Sequence, residues 1–244
     1  MSNNIVIKTE NLFKTFEGKE IIRHCNMTVQ QGSIYGFLGA NGAGKTTVFK
    51  MLTGLLIPTA GKAEVLGMNV LTHRNEILKN VGSMIEVPVF YEHLSATENL
   101  EIHLAYMDIE GVDISAALEE VGLVHTGKQP VSKFSLGMRQ RLGIARALIH
   151  QPKVLILDEP VNGLDPMGIR EMRELFVKLV KEHQMTILIS SHILSEIEHI
   201  ADTIGVIANG TVVEEVALST IKKQFPNGLE EYFLNIMSGG QQNA

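Results

Sequence analysis

The clearest chemistry in the chain lies in Gly39-Ala40-Asn41-Gly42-Ala43-Gly44-Lys45-Thr46, with Thr47 behind it. These residues fit G-x-x-x-x-G-K-[ST], the phosphate-binding P-loop pattern. The apolar run Ile34-Tyr35-Gly36-Phe37-Leu38 before the loop reads as a buried strand, and Val48-Phe49-Lys50-Met51-Leu52 after it reads as the start of a helix. In that setting the glycines let successive backbone N–H groups converge on phosphate oxygens, and the helix N-terminus adds its positive dipole end. Lys45 then reaches the β- and γ-phosphates, and the Thr46 hydroxyl holds Mg²⁺. The bland alternative is a Gly-rich turn that binds nothing, and Lys45-Thr46-Thr47 between the right flanks argues against it. The pattern implies a bound nucleoside triphosphate.

A second group of reactive residues follows the apolar run Val154-Leu155-Ile156-Leu157, which ends in Asp158 and Glu159. A buried strand that ends in two acids has to aim them at something polar. In P-loop enzymes the first acid holds Mg²⁺, directly or through its water. The second is then placed to orient or deprotonate the attacking water. A solvated strand end before the turn at Pro160 is the plainer reading, and the P-loop upstream weighs against it. Ser190-Ser191-His192 closes the next strand, where His192 can touch a γ-phosphate and the water before it. The other histidines show no metal-ligand spacing. Phe134-Ser135-Leu136-Gly137-Met138-Arg139-Gln140-Arg141 reads as an N-capped basic helix start, a second anion site. Two phosphate-binding termini so far apart in one chain suggest that each nucleotide is gripped by two chains.

The elements that must carry these groups alternate. Ile5-Val6-Ile7 and Ile21-Ile22 flank a turn at Phe16-Glu17-Gly18-Lys19, and Met27-Thr28-Val29 leads to a turn at Gln31-Gly32. Ala63-Glu64-Val65-Leu66 and Val81-Gly82-Ser83-Met84-Ile85 are further strand candidates, the second with Glu86 at its end. Ser95-Ala96-Thr97-Glu98 is a capping box that opens a helix carrying Leu100, Leu104 and Met107. A second helix is expected near Ile114 to Val121, and a third opens around Ser135 and is stopped by Pro152. Beyond the acids come a helix with Ile169, Met172, Leu175, Phe176 and Leu179 on one face and the strand Thr186 to Ser190. Such alternation implies a mainly parallel sheet covered on both faces. Asn209-Gly210 is a hairpin turn signal. The stretch Leu229 to Ile236 is expected to form one amphipathic turn or two, and residues 237–244 to fray.

The totals narrow the function classes. With 244 residues the chain has ample length for one large domain, or a core with an inserted lobe. It is 45% hydrophobic and 20% charged, with a net charge of -6, which argues against nucleic acid as the main partner. A single cysteine, Cys25, rules out an internal disulfide or Cys-based metal site and suits a reducing cytoplasm. No apolar run approaches the roughly 18 residues of a membrane-spanning helix. The N-terminus Met1-Ser2-Asn3-Asn4 lacks the regions of a signal peptide.

Taken together, the motifs and their order resemble the ATP-binding subunits of ATP-binding-cassette (ABC) transporters over about residues 5–225. Gly39 to Thr47 matches the Walker A loop, and Leu157-Asp158-Glu159-Pro160 matches Walker B with its catalytic glutamate. Ser135-Leu136-Gly137-Met138-Arg139 occupies the signature position, an altered form of Leu-Ser-Gly-Gly-Gln. Gly163-Leu164-Asp165 looks like the D-loop, His192 the switch histidine, and Phe16 falls where the family stacks an aromatic on adenine. One departure is Glu86, which stands where the family usually has Gln. A carboxylate there adds negative charge beside Asp158, Glu159 and the phosphates. With Ile85-Glu86-Val87-Pro88 and Phe90-Tyr91, it resembles the bacitracin-resistance and lantibiotic-immunity exporter subunits.

The resemblance implies an α/β P-loop NTPase fold: a RecA-like, mainly parallel sheet core, an N-terminal antiparallel β subdomain and an inserted α-helical subdomain. Residues 1–225 would form the ATPase domain, with its core in 1–87 and 151–225, the insert in 88–150, and a tail in 226–244. Glu159, His192 and Lys45 would be catalytic, and Thr46, Glu86 and Asp158 would hold Mg²⁺. Two copies, or this chain and a paralogue, would sandwich ATP between one P-loop and the other's Ser135, Gly137 and Met138. Transmembrane permease subunits would dock near Val89, Phe90 and Tyr91, residues equally suited to ordinary packing. The protein would sit on the cytoplasmic face of the plasma membrane through those partners. The rivals are a soluble ATPase of the same fold and a regulatory module that holds ATP with little turnover. Intact Glu159 and His192 count against the second.

Overall fold

The computed structural model describes residues 4–238; the frayed end expected at the C-terminus lies largely outside them, as do the first three residues. The strands are β1 (Ile5–Phe16), β2 (Lys19–Gln30), β3 (Ile34–Leu38), β4 (Ala60–Val65), β5 (Met68–Asn69), β6 (Val81–Met84), β7 (Val154–Asp158), β8 (Thr186–Ser190), β9 (Thr203–Ala208) and β10 (Thr211–Ala217). The helices are α1 (Lys45–Leu52), α2 (Arg74–Asn80), α3 (Ala96–Tyr106), α4 (Ile114–Glu120), α5 (Leu136–Leu148), α6 (Pro166–His183), α7 (Leu194–Ile200), α8 (Leu218–Gln224) and α9 (Leu229–Met237).

Two sheets form. A six-stranded sheet runs in the order β10-β9-β3-β8-β7-β6, and a four-stranded one runs β2-β1-β4-β5. In the first, β6, β7, β8, β3 and β9 are parallel, and β10 closes the edge by an antiparallel hairpin through Asn209-Gly210. The second is antiparallel throughout. Glu215 of β10 ties the two, accepting from the Thr28 backbone N–H at 2.9 Å and the Tyr35 hydroxyl at 2.8 Å.

The central strands are apolar on both faces because both are covered. Their side chains alternate: Leu155, Leu157, Ile187 and Ile189 enter one core with the inserted helices, α6 and α7. Val154, Ile156, Leu188, Tyr35 and Phe37 enter a second core under the antiparallel sheet, where Phe37 stacks on Phe49 of α1 at 5.8 Å between centroids. Each fully buried Leu or Phe contributes roughly 1.5–3 kcal/mol. Parallel strands place their carboxyl ends on one edge, so the residues after β3, β6, β7 and β8 meet there although they are distant in sequence.

Several expectations need correction. The first two strands are 12 residues each, and only Glu17-Gly18 lies between them; Phe16 and Lys19 are a paired couple. β4 begins at Ala60, and Leu66 belongs to a turn at φ 54°. α1 starts at Lys45, directly off the loop. The short helices α2, α7 and α8 have no side-chain cap, and so left no start signal in the sequence. They are held by tertiary burial of Ile77, Ile197, Leu218 and Ile221. Residues 229–237 form a full helix, with Leu229 and Tyr232 buried in the main core.

Between the inserted helices and β6 sit His103 and His150, with ring centroids 6.2 Å apart. His103 Nε2 and His150 Nδ1 are buried without a partner, and His150 Nε2 lies 3.3 Å from the Val81 carbonyl. Burial, the Arg146 guanidinium and His150 push His103 down to about 4, and burial lowers His150 as well. An unfolded histidine titrates near 6.5, so below that pH the unfolded chain binds more protons than the folded one. The contribution of these two histidines is therefore full above about pH 6.5, is lost as the pH drops towards about 4, and changes no further below. Urea unfolding across that window should show the decline, and His103→Gln should flatten part of it. A wild-type midpoint independent of pH there would contradict this.

Candidate active site

The loop between β3 and α1 is built by close approach. A side chain at Gly39 would meet the Ile207 carbonyl at 2.5 Å, and Gly44 takes φ 112° to turn the chain into α1. Ala43 N–H donates to the Ala40 carbonyl at 3.0 Å, closing the turn. No side chain caps α1, and its first turn holds no acid. Its free N–H groups open into a cavity of about 480 Å³ lined by Asn41 to Thr47, Ile21, Asp158, Glu159, Asn162 and His192. Such an uncapped terminus suits an anion.

Inside, Lys45 is 6% exposed, and its Nζ donates to the Gly39 carbonyl at 2.7 Å. The same ammonium lies 4.0 Å from Glu159 Oε1. Thr46 Oγ1 donates to Asp158 Oδ2 at 2.6 Å, and Ser190 Oγ donates to Asp158 Oδ1 at 2.6 Å. The Glu159 backbone N–H donates to Ser190 Oγ at 3.0 Å, and its carbonyl accepts from Gln140 Nε2 at 3.2 Å. Glu159 Oε2 contacts His192 Nδ1. The backbone of Glu159 is left-handed at φ 51°, a strained turn that directs its carboxylate back over the loop.

Lys45, Thr46, Asp158, Glu159 and His192 thus share one cavity. Ser190 and Gln140 fix the acids from behind, and the sequence reading assigned them no role. The sequence shows Ser190 only as a polar end to an apolar strand; its pairing with Asp158 comes from the sheet register. Among the described residues no group of three or more His, Cys, Asp or Glu is placed to hold a metal. A hydroxyl and one carboxylate beside a phosphate loop suit Mg²⁺, which takes its remaining ligands from phosphate and water.

The other expected residues stand outside this cavity. Phe16 is 44% exposed at the β1–β2 turn, with Lys14 Nζ 4.8 Å from its ring. Ser135 Oγ accepts from Met138 N–H at 3.2 Å and caps α5; Gly137 lies against Leu164. Glu86, at φ 62°, pairs with Lys50 at 2.7 Å. Of the three docking candidates, Val89 is 81% and Tyr91 47% exposed, while Phe90 turns inward beneath Arg146. Arg146 also donates to the Val89 carbonyl at 2.8 Å, which fixes that turn.

The family model for ABC transporters matches residues 22–162, more than half of the chain. The chain belongs to the ABC transporter family. It is 52% identical over 92% of its length to the bacitracin transport ATP-binding protein BcrA of Bacillus licheniformis, covering 74% of that protein. It is 44% identical over 94% of its length to the lantibiotic transport ATP-binding protein SrtF of Streptococcus pyogenes, covering 96%. A solved ATP-binding subunit of an ABC transporter superposes with a TM-score of 0.85 at 26% identity, over 95% of this chain and 99% of that one. As a member of this family the chain is an ATP-binding, ATP-hydrolysing subunit of the P-loop NTPase fold. No helix among the described residues is long and apolar enough to cross a membrane. ABC ATP-binding subunits of this kind work with membrane-spanning permease components.

Proposed function

We propose that this chain powers an exporter of a peptide antibiotic or similar amphipathic compound, as the names of BcrA and SrtF suggest for those relatives. Two chains, identical or paralogous, close on ATP, and hydrolysis reopens them. Closure changes the geometry of permease subunits. Residues 88–150 act as the helical lobe that meets those subunits, with exposed Val89 and Tyr91 at the contact, and residues 1–87 and 151–225 act as the ATPase core. The protein works at the cytoplasmic face of the membrane through these partners, and nucleic acid has no part in it.

In this reading Phe16 stacks on adenine, and Gly39 to Thr47 cradle the phosphates. Lys45 leaves the Gly39 carbonyl for the β- and γ-phosphates. Thr46 and Asp158 would hold Mg²⁺, and Glu86 would reach it as a further oxygen ligand only when its pair with Lys50 opens. The ion, when bound, offsets charge on the phosphate oxygens. Glu159 orients the attacking water and accepts its proton, and His192, already touching Glu159, contacts the γ-phosphate. Ser135, Gly137 and Met138 come from the other chain.

The observation that carries the two-chain reading is that Ser135 and Gly137 lie outside their own cavity, while α1 opens uncapped into it. ATP turnover per chain, followed as protein concentration is raised with Mg²⁺ present, tests it. Specific activity should climb with concentration, at low concentration roughly in proportion, as expected when mass action assembles the site. Flat, substantial activity would mean that one chain suffices and would overturn the shared site.

A further inference from the structure

β6 and β7 are parallel neighbours with Met84 beside Leu157, so the chain continues past both strand ends in step. Two residues beyond that pair each chain segment reaches a glutamate, and both glutamates take the left-handed conformation, at φ 62° for Glu86 and φ 51° for Glu159. Glu159 turns into the cavity. Glu86 does not: it is absent from the cavity lining, and its carboxylate sits 2.7 Å from Lys50 Nζ. Lys50 lies one helical turn after Thr46 on α1, on the same face. The Glu86 carboxylate is therefore held one turn below the hydroxyl that bonds Asp158.

We infer that Lys50 is a positioning residue that holds the Glu86 carboxylate on the flank of α1, so that the phosphate end of the cavity faces only Asp158 and Glu159. This rests on the proposed reading of the site as a Mg²⁺–ATP site. A third carboxylate turned towards a triphosphate repels it, and one turned towards a divalent cation attracts it. A lysine one turn from the metal hydroxyl removes that choice until the pair opens. The pair is part-exposed, at 32% for the Lys50 side chain and 62% for Glu86, so it contributes little to stability and opens readily. It is suited to parking a group, and poorly suited to bracing the fold.

Lys50→Met keeps the aliphatic stem and frees Glu86. The experiment measures equilibrium binding of a fluorescent ATP analogue, without turnover, as free Mg²⁺ is varied and in its absence. Four proteins are compared: wild type, Lys50→Met, Glu86→Gln and the double variant. Loss of a cation acts in both backgrounds, so the coupling between the two substitutions is the quantity read. Lys50→Met should lower the Mg²⁺ needed for half-maximal binding and weaken Mg²⁺-free binding, each by about 3- to 10-fold more with Glu86 present than in the Glu86→Gln background. Equal shifts in the two backgrounds would overturn the inference while leaving the nucleotide site intact. Wild-type protein that binds nucleotide with no Mg²⁺ dependence would overturn the reading beneath it as well. Thermal unfolding of the nucleotide-free proteins is the second measurement. It should be nearly unchanged by either substitution, and a large drop shared by both singles and not increased in the double would make the pair a structural brace instead.

Discussion

Lys45→Ala is expected to weaken ATP binding by about 10- to 100-fold or more, the scale of losing a charge-assisted hydrogen bond to phosphate. Turnover should fall with it if, as proposed, the same ammonium stabilises charge on the transferred group. The structure adds a second consequence. Lys45 is 6% exposed and its Nζ donates to the Gly39 carbonyl at 2.7 Å in the nucleotide-free chain. Alanine leaves that carbonyl without its donor and removes the cation 4.0 Å from Glu159. An orphaned polar group costs about 1–3 kcal/mol. The nucleotide-free variant should therefore unfold at a lower denaturant concentration, while ATP no longer protects it. Titration with a fluorescent nucleotide reads the first effect and denaturant unfolding the second. Hydrolysis at the wild-type rate would remove the loop from the mechanism.

Glu159→Gln separates binding from chemistry. Glutamine matches glutamate in size and keeps the backbone N–H that donates to Ser190 Oγ at 3.0 Å and the carbonyl that accepts from Gln140. What it loses is the ability to take a proton, and general-base catalysis accounts for about 10²- to 10⁴-fold in rate. ATP affinity should stay within a fewfold of wild type while turnover falls by about that factor. A closed pair that cannot hydrolyse its ATP cannot reopen, so dimer should accumulate with ATP and Mg²⁺ on size-exclusion chromatography. A fully active variant would refute the role given to Glu159. The contact between Glu159 and His192 suggests that His192 reports on the same step, since each holds the other over the loop.

The sequence alone determined the parts whose signal is local. The P-loop pattern, the apolar runs of β3, β7 and β8, the Ser95–Glu98 capping box and the Asn209-Gly210 hairpin depend on neighbouring residues, and they stand in the structure where the pattern put them. Alternation of strands and helices was enough to imply a mainly parallel sheet covered on both faces, and the strand order came from the structure. The grouping of Lys45, Asp158, Glu159 and His192 was legible too, because parallel strands place their carboxyl ends on one edge and each of these residues closes or follows a strand.

What only the tertiary structure decided is where long-range contacts choose between equal local options. α2, α7 and α8 lack capping residues, so burial of Ile77, Ile197, Leu218 and Ile221 makes them helices. Phe90 and Val89 are equally apolar in sequence, yet Arg146, far along the chain, pins the Val89 carbonyl and covers the Phe90 ring, leaving Val89 in solvent. Ser190 became the clamp on Asp158 through strand register, which no local pattern encodes. Glu86 and Glu159 end adjacent strands with the same backbone turn, but one side chain enters the cavity and the other goes to Lys50. That difference is an ion pair across 36 residues of sequence, and a sequence shows which charges exist without showing which of them meet.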